Sequence, residues 1–200
     1  MNYLKNTLVY KEQSWTVQAL QQSLQHKDFG LMGHSVRLLP MIKEMGKILN
    51  FSDSYMTELN LFAQFHDLGK ILIPDEILFK QGTLTLAEWE EIQTHCLIGS
   101  RIASSVKELK YISDFIYVHH EKWDGTGYPL GVSGRDIPLF CRILSVLDAY
   151  DAMTSDRPYR KALSRETALR ELQDNAGTQF DPELVDIVNK NRKRIFLNGK

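Results

Sequence analysis

Cysteine is nearly absent from this chain: Cys96 and Cys141 are the only two in 200 residues, and they lie far apart. That excludes a disulfide-stapled scaffold and leaves no paired-thiolate spacing for zinc, so a metal here is expected to use nitrogen and oxygen ligands. No apolar run approaches the length of a membrane span, and Met1-Asn2-Tyr3-Leu4-Lys5 lacks the charged region and apolar core of a signal peptide. These absences, with thiols suited to a reducing compartment, predict a cytoplasmic protein with no membrane contact. An excess of one charge is missing too. Twenty-four basic residues face 25 acidic ones for a net charge of −1, which argues against sequence-independent nucleic-acid binding; no DNA partner is expected, and any phosphate contact should be local. Internal repeats, low-complexity tracts and convincing strand alternation are lacking as well.

What is present is helical periodicity. Two hundred residues suffice for one domain that buries its core without a structural metal, so a bound metal would serve chemistry. Residues 1–27 are read as a lead-in helix or linker, with sparse apolar positions at Val17, Leu20 and Leu24, and residues 28–200 as the catalytic domain. Leu31, Met32, Val36, Leu39, Ile42, Met45 and Leu49 recur at three- and four-residue steps and mark an amphipathic helix carrying His34. Ser52 or Ser54 suits the cap of a helix in which Tyr55, Leu59, Phe62 and Phe65 face the core, ending at His66-Asp67 with Gly69 as a left-handed stop. Thr85-Leu86-Ala87-Glu88 has capping-box spacing and opens a helix that carries His95. A helix over about residues 109 to 120 delivers His119 and His120. Pro138 and Asp181-Pro182 mark two further starts. The expected fold is an all-α bundle, whose sites form between facing helices.

Five of six histidines, His34, His66, His95, His119 and His120, fall near the middle or end of these helices. A single one reads as a hydrogen-bonded core histidine. Five together, with Asp67 and Asp148, are too many ligands for one tetrahedral ion and point to a pair of ions sharing a carboxylate. Lys70 follows His66 by four residues and Asp67 by three, so its ammonium can reach their face; a solvated lysine at a helix end is the ordinary alternative. Asp148 and Asp151 share a face, one to ligate and the other to orient a histidine or water, against the alternative of an exposed acidic face. Arg157 and Arg160 form either a surface basic cluster or a fork for phosphate and guanine edges.

The ordered set of motifs resembles a known family. His66-Asp67-Leu68-Gly69-Lys70 with Ile73-Pro74, His95, the loop from His119 to Pro129, Arg135-Asp136-Ile137-Pro138, Asp148 to Thr154, Arg157-Pro158-Tyr159-Arg160, and Ala176-Gly177 through Phe180-Asp181-Pro182 are similar to those of HD-GYP domains. These are a branch of the HD metal-dependent phosphohydrolases, and the likeness spans about residues 28 to 190. The resemblance implies an HD-domain helical bundle with a glycine-rich GYP loop, hydrolysing cyclic di-GMP to pGpG and onward to GMP at a di-iron or di-manganese centre. It implies His34, His66, Asp67, His95, His119, His120 and Asp148 as metal ligands, with Asp67 bridging and Lys70 on the scissile phosphate. Tyr128, Asp151, Arg157 and Arg160 stand on the substrate side. The Gly127-Tyr128-Pro129 turn would shape the pocket and could meet a GGDEF-type diguanylate cyclase, a sensory protein or a second copy of the chain. Gly30 stands where some relatives carry the glutamate of a third metal, so two divalent ions, iron or manganese, are expected and a third is not. The 27 residues before Asp28 are too few for a receiver domain. The alternatives are a phosphohydrolase for another cyclic dinucleotide or nucleotide, an HD-type oxygenase, or a non-catalytic cyclic di-GMP sensor or adaptor.

Overall fold

Three expected helix starts, at Ser52, Thr85 and Asp181-Pro182, have a physical anchor in the computed structural model, which describes residues 14–27, 34–156 and 161–197; Pro138 instead precedes its helix, which begins at Leu139. Helices α1 (Trp15–Lys27), α2 (His34–Ile48) and α3 (Asp53–Phe65) come first. The Ser52 side chain caps α3 by accepting the Tyr55 amide at 3.4 Å. After α4 (Asp75–Leu78) comes α5 (Leu86–Gln93), opened by a complete capping box: the Thr85 amide donates to Glu88 at 2.7 Å and the Glu88 amide returns to Thr85 at 3.3 Å. Next are α6 (His95–Ser105), α7 (Ser113–Val118) and the long α8 (Leu139–Thr154). The chain continues through α9 (Arg165–Asp174), α10 (Pro182–Lys190) and α11 (Arg192–Leu197). Asp181 caps α10 by accepting the Glu183 amide at 2.9 Å and the Leu184 amide at 3.4 Å, with Pro182 in the first turn where its missing N–H costs nothing. Among the described residues there is no strand, only an isolated bridge between Ala176 and Phe180.

The core lies where α8 crosses α2 and where α3 packs on α2. Ile143, Leu144 and Leu147 meet Leu38, Ile42, Met45, Leu59 and Phe62, all buried. Val17 of α1 is fully buried in the same core, so this helix is built into the bundle. One buried ion pair fixes the C-terminal helices: Arg142 on α8 donates to Asp181 at 2.6 Å, so the carboxylate that caps α10 also ties it to α8.

Four local expectations are corrected. Gly69 is not a left-handed stop: it lies within a 3-10 turn, Leu68–Leu72, and its φ is not positive. A Cβ there would overlap the His95 carbonyl and come within 2.6 Å of the Gly99 amide nitrogen, so glycine is required for close approach to α6. The helix carrying His95 does not continue from the capping box, because Thr94 turns its hydroxyl onto the Glu91 carbonyl at 2.6 Å and its amide onto the same carbonyl at 3.1 Å. Tyr55 is 54% exposed, lying edge-on to Phe140 at the rim of the apolar stripe. The segment before the histidine pair is likewise split into a 3-10 turn, Lys110–Ile112, and α7, with His119 and His120 just beyond the last turn.

Candidate metal centre

The contact between the glycine-bearing turn and α6 places Asp67 beside His95, and α7 adds His119 and His120. Three imidazoles are oriented by the same device. Nδ1–H of His66 donates to the Ala63 carbonyl at 2.9 Å, that of His95 to Ile92 at 2.6 Å, and that of His119 to Ile116 at 2.7 Å. A carbonyl only accepts, so each ring presents Nε2 as a bare lone pair. The lone pairs of His95 and His119 then face each other at 3.3 Å. Asp67 Oδ1 is buried without a hydrogen-bond partner, 3.6 Å from His95 Nε2 and 3.8 Å from His119 Nε2. The Cys96 thiol, 3.6 Å from His95 Nε2, is a weak donor set against this crowd of acceptors, and a cation is the group that makes such a cluster favourable.

The ligand atoms divide into two groups: His95, Cys96, His119 and His120 form one, and His34, His66 and Asp148 the other, with every atom of a group within 4.8 Å of the rest. Asp67 spans them, with Oδ2 3.4 Å from His66 Nε2 and Oδ1 towards His95 and His119. Lys70 Nζ donates to Asp67 Oδ2 at 2.7 Å. The donor set, nitrogen and oxygen from several elements around a shared carboxylate, fits divalent cations.

Electrostatics support that fit. Burial holds His95 neutral, its pKa lowered to about 4, and burial likewise lowers His119 and, further, His120, where the neighbouring imidazoles add to the effect. Burial would raise the Asp67 carboxyl, but Lys70 and His66 overcome it and hold the pKa well below the ordinary range. His34 is the contrast: burial opposes its charge, yet Asp148 at 2.9 Å and Asp151 at 2.7 Å push its pKa up to about 10. A cation taken by this group therefore displaces a proton.

Every described residue expected as a metal ligand is in one of these groups or bridges them. Asp151, placed on the substrate side from sequence, spends its oxygens on His34 Nδ1 and on the Arg37 guanidinium, at 2.5 and 2.8 Å, where it orients a ligand ring. Tyr128 stacks on His120 with centroids 4.9 Å apart and meets the edge of Trp89. Arg157, Arg160 and Gly30 lie outside the described residues.

Sequence reasoning passed over Arg37, Glu121 and Cys96. Arg37 carries a usable signal, since it follows His34 by one helical turn. Glu121, adjacent to His120, is buried and accepts the Leu130 amide at 2.6 Å and the Gly131 amide at 3.1 Å, closing the GYP loop onto the centre. Glu121→Ala is expected to raise the rate of proteolytic cleavage within residues 122–134 about tenfold or more while helical circular dichroism stays unchanged, because two charge-assisted bonds are lost from the loop alone. Cleavage at the parental rate would show that the loop is held by something else.

These features define a class, a helical bundle with clustered histidine and aspartate side chains able to hold metal ions. The family model described as an HD domain matches residues 18–184, and the chain belongs to that family. It is 37% identical over 173 residues to a cyclic di-GMP phosphodiesterase of Thermotoga maritima, covering 86% of this chain and 47% of that protein. It is also 37% identical to 3'3'-cGAMP-specific phosphodiesterase 3 of Vibrio cholerae, covering 79% of this chain and 34% of the relative. The chain thus spans half or less of the length of these curated relatives. Among solved structures, a cyclic GMP-AMP phosphodiesterase of V. cholerae superposes with a TM-score of 0.71 at 22% identity, over 92% of this chain and 50% of the other, showing the shared fold. Among the described residues no helix is long and apolar enough to cross a membrane.

Proposed function

We propose that this chain is a metal-dependent phosphodiesterase that opens a cyclic dinucleotide, with cyclic di-GMP as its substrate, giving linear pGpG and then GMP. The observation that carries the proposal is the acceptor-rich cluster of His95 Nε2, His119 Nε2 and the unpartnered Asp67 Oδ1, continuous through Asp67 with the His34, His66 and Asp148 group. In this reading His34, His66 and Asp148 hold one divalent ion, His95, His119 and His120 hold the other, and Asp67 is shared; iron or manganese suits these ligands. Such ions, when bound, polarise a phosphodiester and lower the pKa of a water beside it.

The chain's own residues supply the remainder. Hydrolysis adds water across one P–O bond, so a proton must reach the departing ribose oxygen. Lys70, held at 2.7 Å from the shared carboxylate, is positioned to offset charge on the phosphate and to deliver that proton. Asp151 and Arg37 keep the His34 ring in register. Tyr128, Arg157 and Arg160 would receive the nucleotide, and the GYP loop is the place for a GGDEF-type partner, a sensory protein or a second copy.

Lys70→Met is expected to lower turnover about 100-fold with both ions retained, the scale of losing one charge-stabilising donor. Unchanged turnover in a metal-replete variant would remove Lys70 from the chemistry. The function itself is tested on protein purified anaerobically and loaded with iron or manganese, by chromatography of products from cyclic di-GMP, 3'3'-cGAMP and mononucleotides. Formation of pGpG or GMP from cyclic di-GMP is the expected result. Three curated relatives carry 3'3'-cGAMP in their names, and faster hydrolysis of that dinucleotide would establish it as the substrate instead. Tight binding without turnover would make the chain an adaptor.

A further inference from the structure

The cluster on α6 and α7 contains a group that composition alone appeared to exclude from metal chemistry. Cys96, fully buried at the start of α6, places Sγ 3.6 Å from His95 Nε2, the lone pair that is turned away from the Ile92 carbonyl. It lies 4.0 Å from His119 Nδ1, on the side of that ring bonded to Ile116, and one candidate ligand atom from each of His95, Cys96, His119 and His120 lies within 4.8 Å of the others. The second observation is independent of the cysteine. Asp67 Oδ1, buried and without a partner, lies 3.6 Å from His95 Nε2, the same nitrogen that the sulfur approaches, and 3.8 Å from His119 Nε2. A separation of 3.6 Å between sulfur and nitrogen is that of two ligands on a common ion with a metal–sulfur bond of about 2.3 Å and a metal–nitrogen bond of about 2.1 Å.

We propose that Cys96 is a protein ligand of the ion held by His95, His119 and His120, which makes this half-site a mixed nitrogen and sulfur site while the His34, His66 and Asp148 half-site is nitrogen and oxygen. The inference rests on the two-ion reading given above. Coordination replaces the S–H bond by a metal–sulfur bond, and the proton passes to solvent. The sulfur makes the two positions chemically unequal: the mixed site favours iron, zinc or cobalt, and the other accepts manganese. The competing account is a small buried side chain that only fills space.

Cobalt(II) separates the two, since a sulfur ligand gives a near-ultraviolet charge-transfer absorption that histidine and carboxylate do not. Full-length protein, freed of metal and titrated with cobalt(II) under nitrogen, is expected to develop this band as the ions bind. The band should vanish in Cys96→Ala at equal cobalt content and persist in Cys141→Ser, whose thiol donates to the Phe115 carbonyl away from the centre. The preference of the site for zinc over manganese should fall at least about tenfold in Cys96→Ala. Two bound cobalt ions with no such band in the parent protein, a band that survives in Cys96→Ala, or an unchanged zinc preference overturns the proposal and leaves the histidine and aspartate centre intact. Failure to bind cobalt at all removes both.

Discussion

Asp67→Ala is expected to lower the affinity for divalent metal by at least about 100-fold and turnover at least about 1,000-fold while the helical content of the chain is unchanged. The carboxylate faces both ligand groups, with Oδ2 toward His66 and Oδ1 toward His95 and His119, and it anchors Lys70. On the proposed two-ion reading, deleting it removes a ligand from each half-site at once. Asp67→Asn separates charge from shape, because the amide fills the same space yet brings no negative charge to the ions; a loss comparable with alanine is expected. The carboxyl pKa, lowered by Lys70 and His66 against the effect of burial, adds a sign that can be checked. A depressed acid contributes stability that is present above its unfolded value of about 3.9 and is lost as pH falls towards its folded value, so metal-free parent protein should lose more stability than Asp67→Asn on acidification below about pH 4. Metal analysis with product chromatography decides the main claim: a folded Asp67→Ala that keeps both ions and its activity would sink it.

Gly69→Ala should do as much damage from a position that touches no metal. The added methyl would overlap the His95 carbonyl, which is backbone and cannot swing aside, and Gly99 meets the same turn from the other side, where its own Cβ would lie 2.9 Å from the Gly69 nitrogen. The turn and α6 must separate, at a cost of about 3 kcal/mol in unfolding free energy, carrying Asp67 away from His95 and lowering metal content with it. Gly46→Ala is the control. Its methyl would run into the end of the Met56 side chain, which is flexible, and α2 gains helix propensity, so the two effects offset to within about 1 kcal/mol. Urea unfolding of the two variants side by side measures the contrast. Similar midpoints would show that the close approach at Gly69 is not required.

The helices and the ligand types were legible in the sequence because both are local: periodicity marks a buried face, capping residues mark its start, and histidine in an apolar setting advertises its chemistry. Interruptions were harder to read. The break at Thr94 depends on a hydroxyl choosing the Glu91 carbonyl, and the pattern of apolar residues runs through it undisturbed. Gly69 was assigned the wrong reason for being glycine, since close approach to α6 is a property of two segments that sequence spacing does not bring together. The absence of paired-cysteine spacing concealed Cys96 for the same cause: its neighbours His119 and His120 arrive from another helix. Glu121 had no periodic signal at all, because its partners are backbone amides nine and ten residues on.

The stack of Tyr128 on His120 joins a glycine-rich loop to an imidazole of the ligand group at a ring separation of 4.9 Å. Whatever grips the loop also orients that imidazole, and an ion that fixes the imidazole selects among arrangements of the loop. Thermodynamic reciprocity makes these one equilibrium: a ligand or partner that favours the stacked loop must tighten metal binding by the same factor by which metal tightens its own hold. On the proposed metal-binding reading, metal occupancy would then serve as a readout of whatever engages the loop, and the supply of divalent metal would set how strongly that engagement is felt.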